Sequence, residues 1–167
     1  SRMNRRYTKE EYLDLIARLR QAAPDMAVTT DIIVGFPGET EEDFNHTLDL
    51  VEKVRFDSAF TFLYSVRKGT PAADYEDQIP ETLKHERFNQ LVDAVNRISE
   101  EKNREMVGRM EEVLAEGESK TSSAMYTGRT TGHKLVNFSG APDLTGKMVT
   151  VEITGSNTFS LVGKQAD

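Results

Sequence analysis

The chain contains no cysteine. Iron–sulfur clusters are held by thiolates, so this chain by itself is expected to bind none. Its three histidines, His46, His85 and His133, are scattered without metal-ligand spacing; each reads as a solvated surface residue, and no structural zinc is expected. The lack of disulfides says little about compartment, because a domain without them can live anywhere. Long apolar runs are also missing, which at 37% hydrophobic content excludes a helical membrane span. The first residues, Ser1 to Thr8, have no apolar core of a secretory signal, so a cytoplasmic location is the default expectation. No internal repeat or low-complexity tract is present.

Positive charge is in short supply. With 21 Lys and Arg against 28 Asp and Glu, the net charge of −7 argues against a general nucleic-acid-binding surface. The imbalance is local. Residues 106–167 carry six basic and seven acidic side chains, whereas residues 1–105 carry fifteen and twenty-one, so the acidity belongs mainly to the first part.

The most informative stretch runs from Thr29 to Phe44. A β-branched run, Thr29 to Val34, stops at Gly35-Phe36-Pro37-Gly38 and is followed by the acidic Glu39-Thr40-Glu41-Glu42-Asp43. This is a strand whose end is presented by a tight turn, followed by a capped helix. The two glycines fit neither a dinucleotide fingerprint nor a Walker loop, since no Lys-Ser/Thr follows Gly38, so a phosphate cradle is not expected. A turn with a helix cap and a cofactor edge both remain open for these residues.

Two architectures follow each other along the chain. Thr8 and Glu11 form a capping-box pattern ahead of a helix over about 8–22, ended by Pro24. Strands over 27–34 and 57–65 alternate with a helix that begins after Thr40 and a long helix from Pro80 to about Met106. Strands separated by helices in this way require a parallel crossover. Two βα units cannot close a barrel, so this half is expected to expose apolar faces and edges unless further strands or another copy of the chain cover them. After about residue 105 the period becomes alternating. Short strands are expected over 113–115, 124–127, 135–138, 148–153 and 159–162, punctuated by Gly117, Gly128, Gly132, Gly140, Gly146, Gly155 and Gly163. Five short strands in about sixty residues suggest a small closed barrel of the OB type. The fold class is therefore α/β plus all-β, with units at 1–105 and 106–167.

Asp31-Ile-Ile-Val-Gly-Phe-Pro-Gly-Glu-Thr-Glu-Glu-Asp-Phe, Phe56-Asp57, Tyr64-Ser65 with Arg67, and Gly69-Thr70-Pro71-Ala72-Ala73 resemble the C-terminal half of radical S-adenosylmethionine methylthiotransferases. Met3-Asn4-Arg5-Arg6-Tyr7-Thr8 is similar too. Gly128-Arg129-Thr130, Val136-Asn137-Phe138, Leu144-Thr145-Gly146-Lys147 and Val151-Glu152-Ile153-Thr154 resemble the family's TRAM domain, an OB-like RNA-binding barrel. The resemblance implies a partial parallel radical SAM barrel followed by a five-stranded TRAM barrel. Within the family, Ser123 to Gly140 and Phe159-Ser160-Leu161 favour members that add a methylthio group to an isopentenylated adenosine beside the tRNA anticodon. Members acting on threonylcarbamoyladenosine or a ribosomal protein are the alternative, as is an RNA-binding module with no catalytic role.

The resemblance also implies S-adenosylmethionine and two 4Fe–4S clusters in a full-length enzyme, whose cysteine loops this chain lacks. The chain then reads as a fragment that is inactive alone, binds no cofactor and self-associates through its unpaired sheet. Family likeness assigns Asp31 to the ribose hydroxyls of S-adenosylmethionine, Ile33 and Gly35 to its adenine, and Arg5 to its methionine part. Gly38 stands where the wider superfamily carries a glutamate and Glu39 falls one place late, so Glu39 reads as a cap or turn residue. Arg67 follows the second strand at the barrel end where active sites gather. In the tail, Arg129 and Lys134 lead the candidates for tRNA contact, with Lys147 and Lys164 behind them. Tyr126, Phe138 and Phe159 are possible stacking rings, although small barrels bury half of each strand, which assigns Phe138 and Phe159 to the core.

Overall fold

In a computed structural model, residues 2–119 and 122–166 are described. They form two compact units, Ser1–Val95 and Asn96–Asp167. No helix among them is long and apolar enough to cross a membrane.

The first unit opens with α1, Lys9–Ala22, whose N-terminus is closed by Thr8 and Glu11 in a reciprocal capping box, as their spacing predicts. β1, Thr29–Val34, leads into α2, Glu41–Val54, closed by Thr40 and Asp43 in the same way. The hydrogen bond from the Thr40 amide holds the Asp43 carboxyl below its ordinary range. The C-terminus of α2 meets the Arg20 guanidinium, which donates to the Val54 carbonyl, a cation where the helix dipole favours one. Asp49 sits between Lys9 at 2.6 Å and Lys53 at 2.8 Å, and hydrogen bonds from these ammonium groups bring its carboxyl down to about 2. β2, Ser58–Leu63, pairs parallel with β1. A short 3₁₀ turn at Pro71–Asp74 precedes α3, Glu81–Arg104. Ile16, Val34, Phe44, Val51, Val54, Phe56 and Leu91 are buried. The sheet is one-sided: Ile32, Val34, Ala59 and Leu63 are shielded, whereas the alternate positions on both strands are exposed.

The second unit is a closed barrel of β3 (Met110–Ser119), β4 (Ser122–Thr130), β5 (Leu135–Ser139), β6 (Met148–Ser156) and β7 (Leu161–Gln165). The order around it is β3-β4-β5-β7-β6, antiparallel throughout except for the parallel β5–β7 pair. Closure leaves no open edge. Its core is Val113, Ala115, Tyr126, Val136, Phe138, Leu144, Val151, Ile153 and Leu161. The last turns of α3 belong to this unit. Asn103, buried, donates to the carbonyls of Asn157 at 2.9 Å and Thr158 at 3.2 Å, and Ser99 Oγ donates to Thr158 O at 2.9 Å.

Two expectations from the sequence are corrected. Gly117, Gly128, Gly155 and Gly163 lie inside strands rather than in turns. At Gly128 a Cβ would run into the Leu114 carbonyl oxygen and approach Val113 Cγ1 to 2.7 Å, so the glycine admits a close approach of β3 and β4. Gly163 does the same against Val151 and Glu152. The last strand starts at Leu161 instead of residue 159, because Asn157 Oδ1 accepts the Phe159 and Ser160 amides at 2.9 and 2.8 Å and turns the chain there.

Substituting Gly128→Ala is expected to lower the stability of the barrel unit by about 1–3 kcal/mol, the cost of overpacking a filled core. Urea unfolding checks this; an unchanged midpoint would mean that β3 and β4 can part without loss.

Candidate functional site

Strand alternation on the parallel sheet places Asp31 and Ile33 on one face, with Asp31 paired to Phe60 and Ile33 to Phe62. That face is open: Ile33 is 43% exposed, Phe60 64% and Phe62 49%. The result is an apolar strip carrying one carboxylate. A flat apolar ring can lie on such a strip, and a carboxylate beside it can accept hydrogen bonds from vicinal hydroxyls. Of the residues assigned to the cofactor, Asp31 and Ile33 are therefore brought onto one surface, and Gly35 follows directly at the strand end. Arg5, ahead of α1, and Arg67, on the loop after β2, are exposed. Thr70 donates through both its amide and its hydroxyl to the Arg67 carbonyl, which shapes that loop.

Gly35 has φ +80°, a conformation that favours glycine, and a Cβ there would stand 2.5 Å from Lys84 Cγ. The turn is braced from within. Glu39 Oε2 accepts the Gly35 amide at 3.0 Å, and its Oε1 accepts from Arg87 at 2.8 Å. The same Arg87 nitrogen donates to the Glu39 carbonyl at 3.0 Å, and its guanidinium lies 5.6 Å from the centre of the Phe44 ring. Both charged side chains of this pair are almost entirely shielded. Glu39 thus closes the turn, consistent with its cap-or-turn reading.

Around the brace, Lys84 is buried, pairs with Glu81 at 2.7 Å and stands 5.6 Å over the Tyr64 ring. Phe36 packs edge-on against Tyr64 and Tyr75. Tyr64 Oη is buried without a hydrogen-bond partner. Farther along the turn, the Gly38 amide donates to the Asp77 carbonyl at 2.8 Å, while Arg2 makes a bidentate pair with the Asp77 carboxylate and lies over Tyr75. The Arg2 hydrogen bonds hold the Asp77 carboxyl below its ordinary range. Sequence reasoning missed Lys84 and Arg87. The available signal was their position on α3: with Leu91 they recur every three to four residues on the core face, where a charge needs a partner.

In the barrel unit, Arg129 is exposed on β4, 3.4 Å from Glu116, and donates to the His133 carbonyl at 3.1 Å. Lys134 is partly buried, its ammonium donating to Asn103 Oδ1 at 2.7 Å. Lys147 is exposed just before β6, and Lys164 pairs with Glu152 at 3.0 Å. Arg129 and Lys134 share the β4–β5 hairpin; Lys147 lies apart from it along the chain. Tyr126 and Phe138 stack on each other in the core, 5.7 Å between centres, so neither ring offers a face to a base. Phe159, expected in the core, is 76% exposed because it sits in the Asn157 turn and not on a strand.

Residues 1–51 match the Radical SAM superfamily, and residues 104–165 match the TRAM domain. A protein of Acetivibrio thermocellus named tRNA-2-methylthio-N(6)-dimethylallyladenosine synthase is 58% identical over 96% of this chain and 34% of its own length. Proteins of the same name from Clostridium botulinum (strain Okra / Type B1) and Clostridium novyi are 56% and 55% identical over 98% of the chain and 36% of theirs. The chain spans about a third of the length of the curated relatives it matches. A radical SAM match is thus followed by a TRAM match, and the likeness to radical SAM methylthiotransferases seen in the motifs is borne out by these similar proteins.

Replacing Arg87 with Met would leave the Glu39 carboxylate shielded without its cation, at an expected cost of about 3–5 kcal/mol to the first unit. Adding Glu39→Gln should recover part of that loss in a double-mutant cycle followed by urea unfolding. Additive losses would show that the two side chains are not coupled.

Proposed function

We propose that this chain forms the cofactor rim and the RNA-gripping tail of a methylthiotransferase that acts on N6-dimethylallyladenosine in tRNA. The observation that carries the reading is the juxtaposition of Asp31 and Ile33 on one open sheet face, running into the braced Gly35 turn, in a chain 58% identical to a synthase of that name. Asp31 offers acceptors for ribose hydroxyls and Ile33 an apolar edge for adenine, while Gly35, also assigned to the adenine, is buried with Lys84 packed against it. Arg5 is assigned to the cofactor's carboxylate, a pairing guanidinium geometry suits.

S-adenosylmethionine, bound to a reduced 4Fe–4S cluster, supplies radical chemistry in this superfamily. The chain has no thiolate to ligate a cluster, so cluster ligands in such an enzyme come from residues outside it. What its own residues do is bind and orient: they hold the nucleoside part of the cofactor, exclude water with the Phe60 and Phe62 rings, and fix the substrate by its RNA. Arg67, Arg129, Lys134 and Lys147 are the residues assigned to tRNA, the last three on a barrel of a class that binds oligonucleotides. The tRNA contact is placed at the anticodon stem-loop, where the modified adenosine lies, and a cytoplasmic location accords with that substrate. The open strip of Ile33, Phe60 and Phe62 is the surface through which two copies of the isolated chain associate.

The test grafts this chain onto the Acetivibrio thermocellus synthase in place of its matching third, with clusters reconstituted. Asp31→Ala is expected to weaken S-adenosylmethionine binding about tenfold, roughly 1.4 kcal/mol, with the fold intact. Unchanged affinity by calorimetry removes Asp31 from the site.

A further inference from the structure

Phe159 is the most exposed large apolar residue among those described. Its backbone is nevertheless held from several directions. Asn157 Oδ1 accepts the Phe159 and Ser160 amides at 2.9 and 2.8 Å, Asn157 Nδ2 donates to Ser160 Oγ at 2.9 Å, and the Asn157 amide donates to the Ser160 carbonyl at 2.9 Å. From the other side, Asn103 and Ser99 of α3 bind the carbonyls of residues 157 and 158. Ordering an aromatic ring on a turn that is already fixed costs only two side-chain torsions, so little entropy is lost when something stacks on it.

The surroundings indicate what that is. Phe159 is flanked by Asn157, Thr158 and Ser160, so the ring rises from polar neighbours in its own turn. Asn103, whose amide nitrogen holds this turn, accepts through its oxygen from Lys134 at 2.7 Å. One buried side chain therefore ties the Phe159 turn to the β4–β5 hairpin that carries Arg129, His133 and Lys134. The nearby helix carboxylates Glu100 and Glu101 are paired with Arg104 and Arg97 at 2.9 and 3.0 Å. Arg129 on that hairpin faces Glu116 at 3.4 Å in an exposed pair, a weak contact that a phosphate can replace, so an aromatic face beside this hairpin matches a strand with bases to stack and phosphates to neutralise.

We propose that Phe159 is a stacking platform for an unpaired RNA base, with Asn103 setting its position relative to the Arg129–Lys134 hairpin. The inference rests on the RNA-binding reading above and deepens it. A duplex offers no such face, so the site selects single-stranded loops or ends.

The full chain is titrated with an RNA stem-loop and with a fully paired RNA duplex of equal length, at several salt concentrations. Phe159→Ala should weaken stem-loop binding about tenfold or more while leaving duplex binding and the slope of log affinity against log salt unchanged, because no phosphate contact is lost. Arg129→Gln should instead reduce that slope. Phe159→Tyr should restore affinity and Phe159→Leu should not. The chain contains no tryptophan, so Phe159→Trp introduces a single tryptophan that can be excited apart from the five tyrosines and whose fluorescence should be quenched by the stem-loop. Since the ring is exposed, the urea midpoint of Phe159→Ala should equal that of the wild type. Wild-type affinity in Phe159→Ala, together with no quenching in Phe159→Trp, overturns the inference and leaves the RNA-binding reading standing, and so does full affinity in Phe159→Leu. Failure of the wild-type chain to bind either RNA overturns both.

Discussion

One largely shielded carboxylate fixes the geometry of the first unit's functional edge. Glu39 spans the turn that ends β1, taking the Gly35 amide on one oxygen and Arg87 on the other. Without it, the left-handed Gly35 would have a shielded amide with no acceptor, an arrangement costing about 1–3 kcal/mol. Because Arg87 comes from α3, the strand end is locked to a helix forty-eight residues away in sequence. Lys84, one turn earlier on the same helix, fills the space that any side chain at Gly35 would need. The rim is thus specified twice, once by the conformational freedom of Gly35 and once by what packs against it.

The second unit uses the same device with different chemistry. Asn103 is a buried amide whose side-chain bonds reach two barrel turns: two carbonyls of the Phe159 turn and the ammonium of Lys134. A polar group so placed gives specificity of position more than stability, since replacing it would leave several partners unmet. The helix end is therefore part of the barrel, and the seam between the compact units falls within α3.

Much of this was legible in the residues. Both capping boxes announce themselves as Thr8 with Glu11 and Thr40 with Asp43, and both form. The β-branched run before Gly35 gives β1, and the shift from helical to alternating period gives the barrel. What escaped has a common cause. Arg87, Lys84 and Asn103 act through partners distant in sequence, and periodicity reports which face a residue occupies without saying what it meets there. Phe159 reads as inward in the sequence because Phe, Leu and Val at 159, 161 and 162 resemble a strand; the side chain of Asn157 captures two amides first and delays the strand to Leu161. The strand glycines read as turns in the sequence because composition alone does not distinguish a bend from a close approach of two backbones.

The most direct test of the brace is residue-resolved amide hydrogen exchange on the chain. With Glu39 in place, the Gly35 amide should exchange as slowly as hydrogen-bonded amides of α2, and Glu39→Ala should accelerate Gly35 selectively while Val51 and Val54 stay protected. A Gly35 amide that exchanges at the rate of an open loop in the unaltered chain would contradict the account.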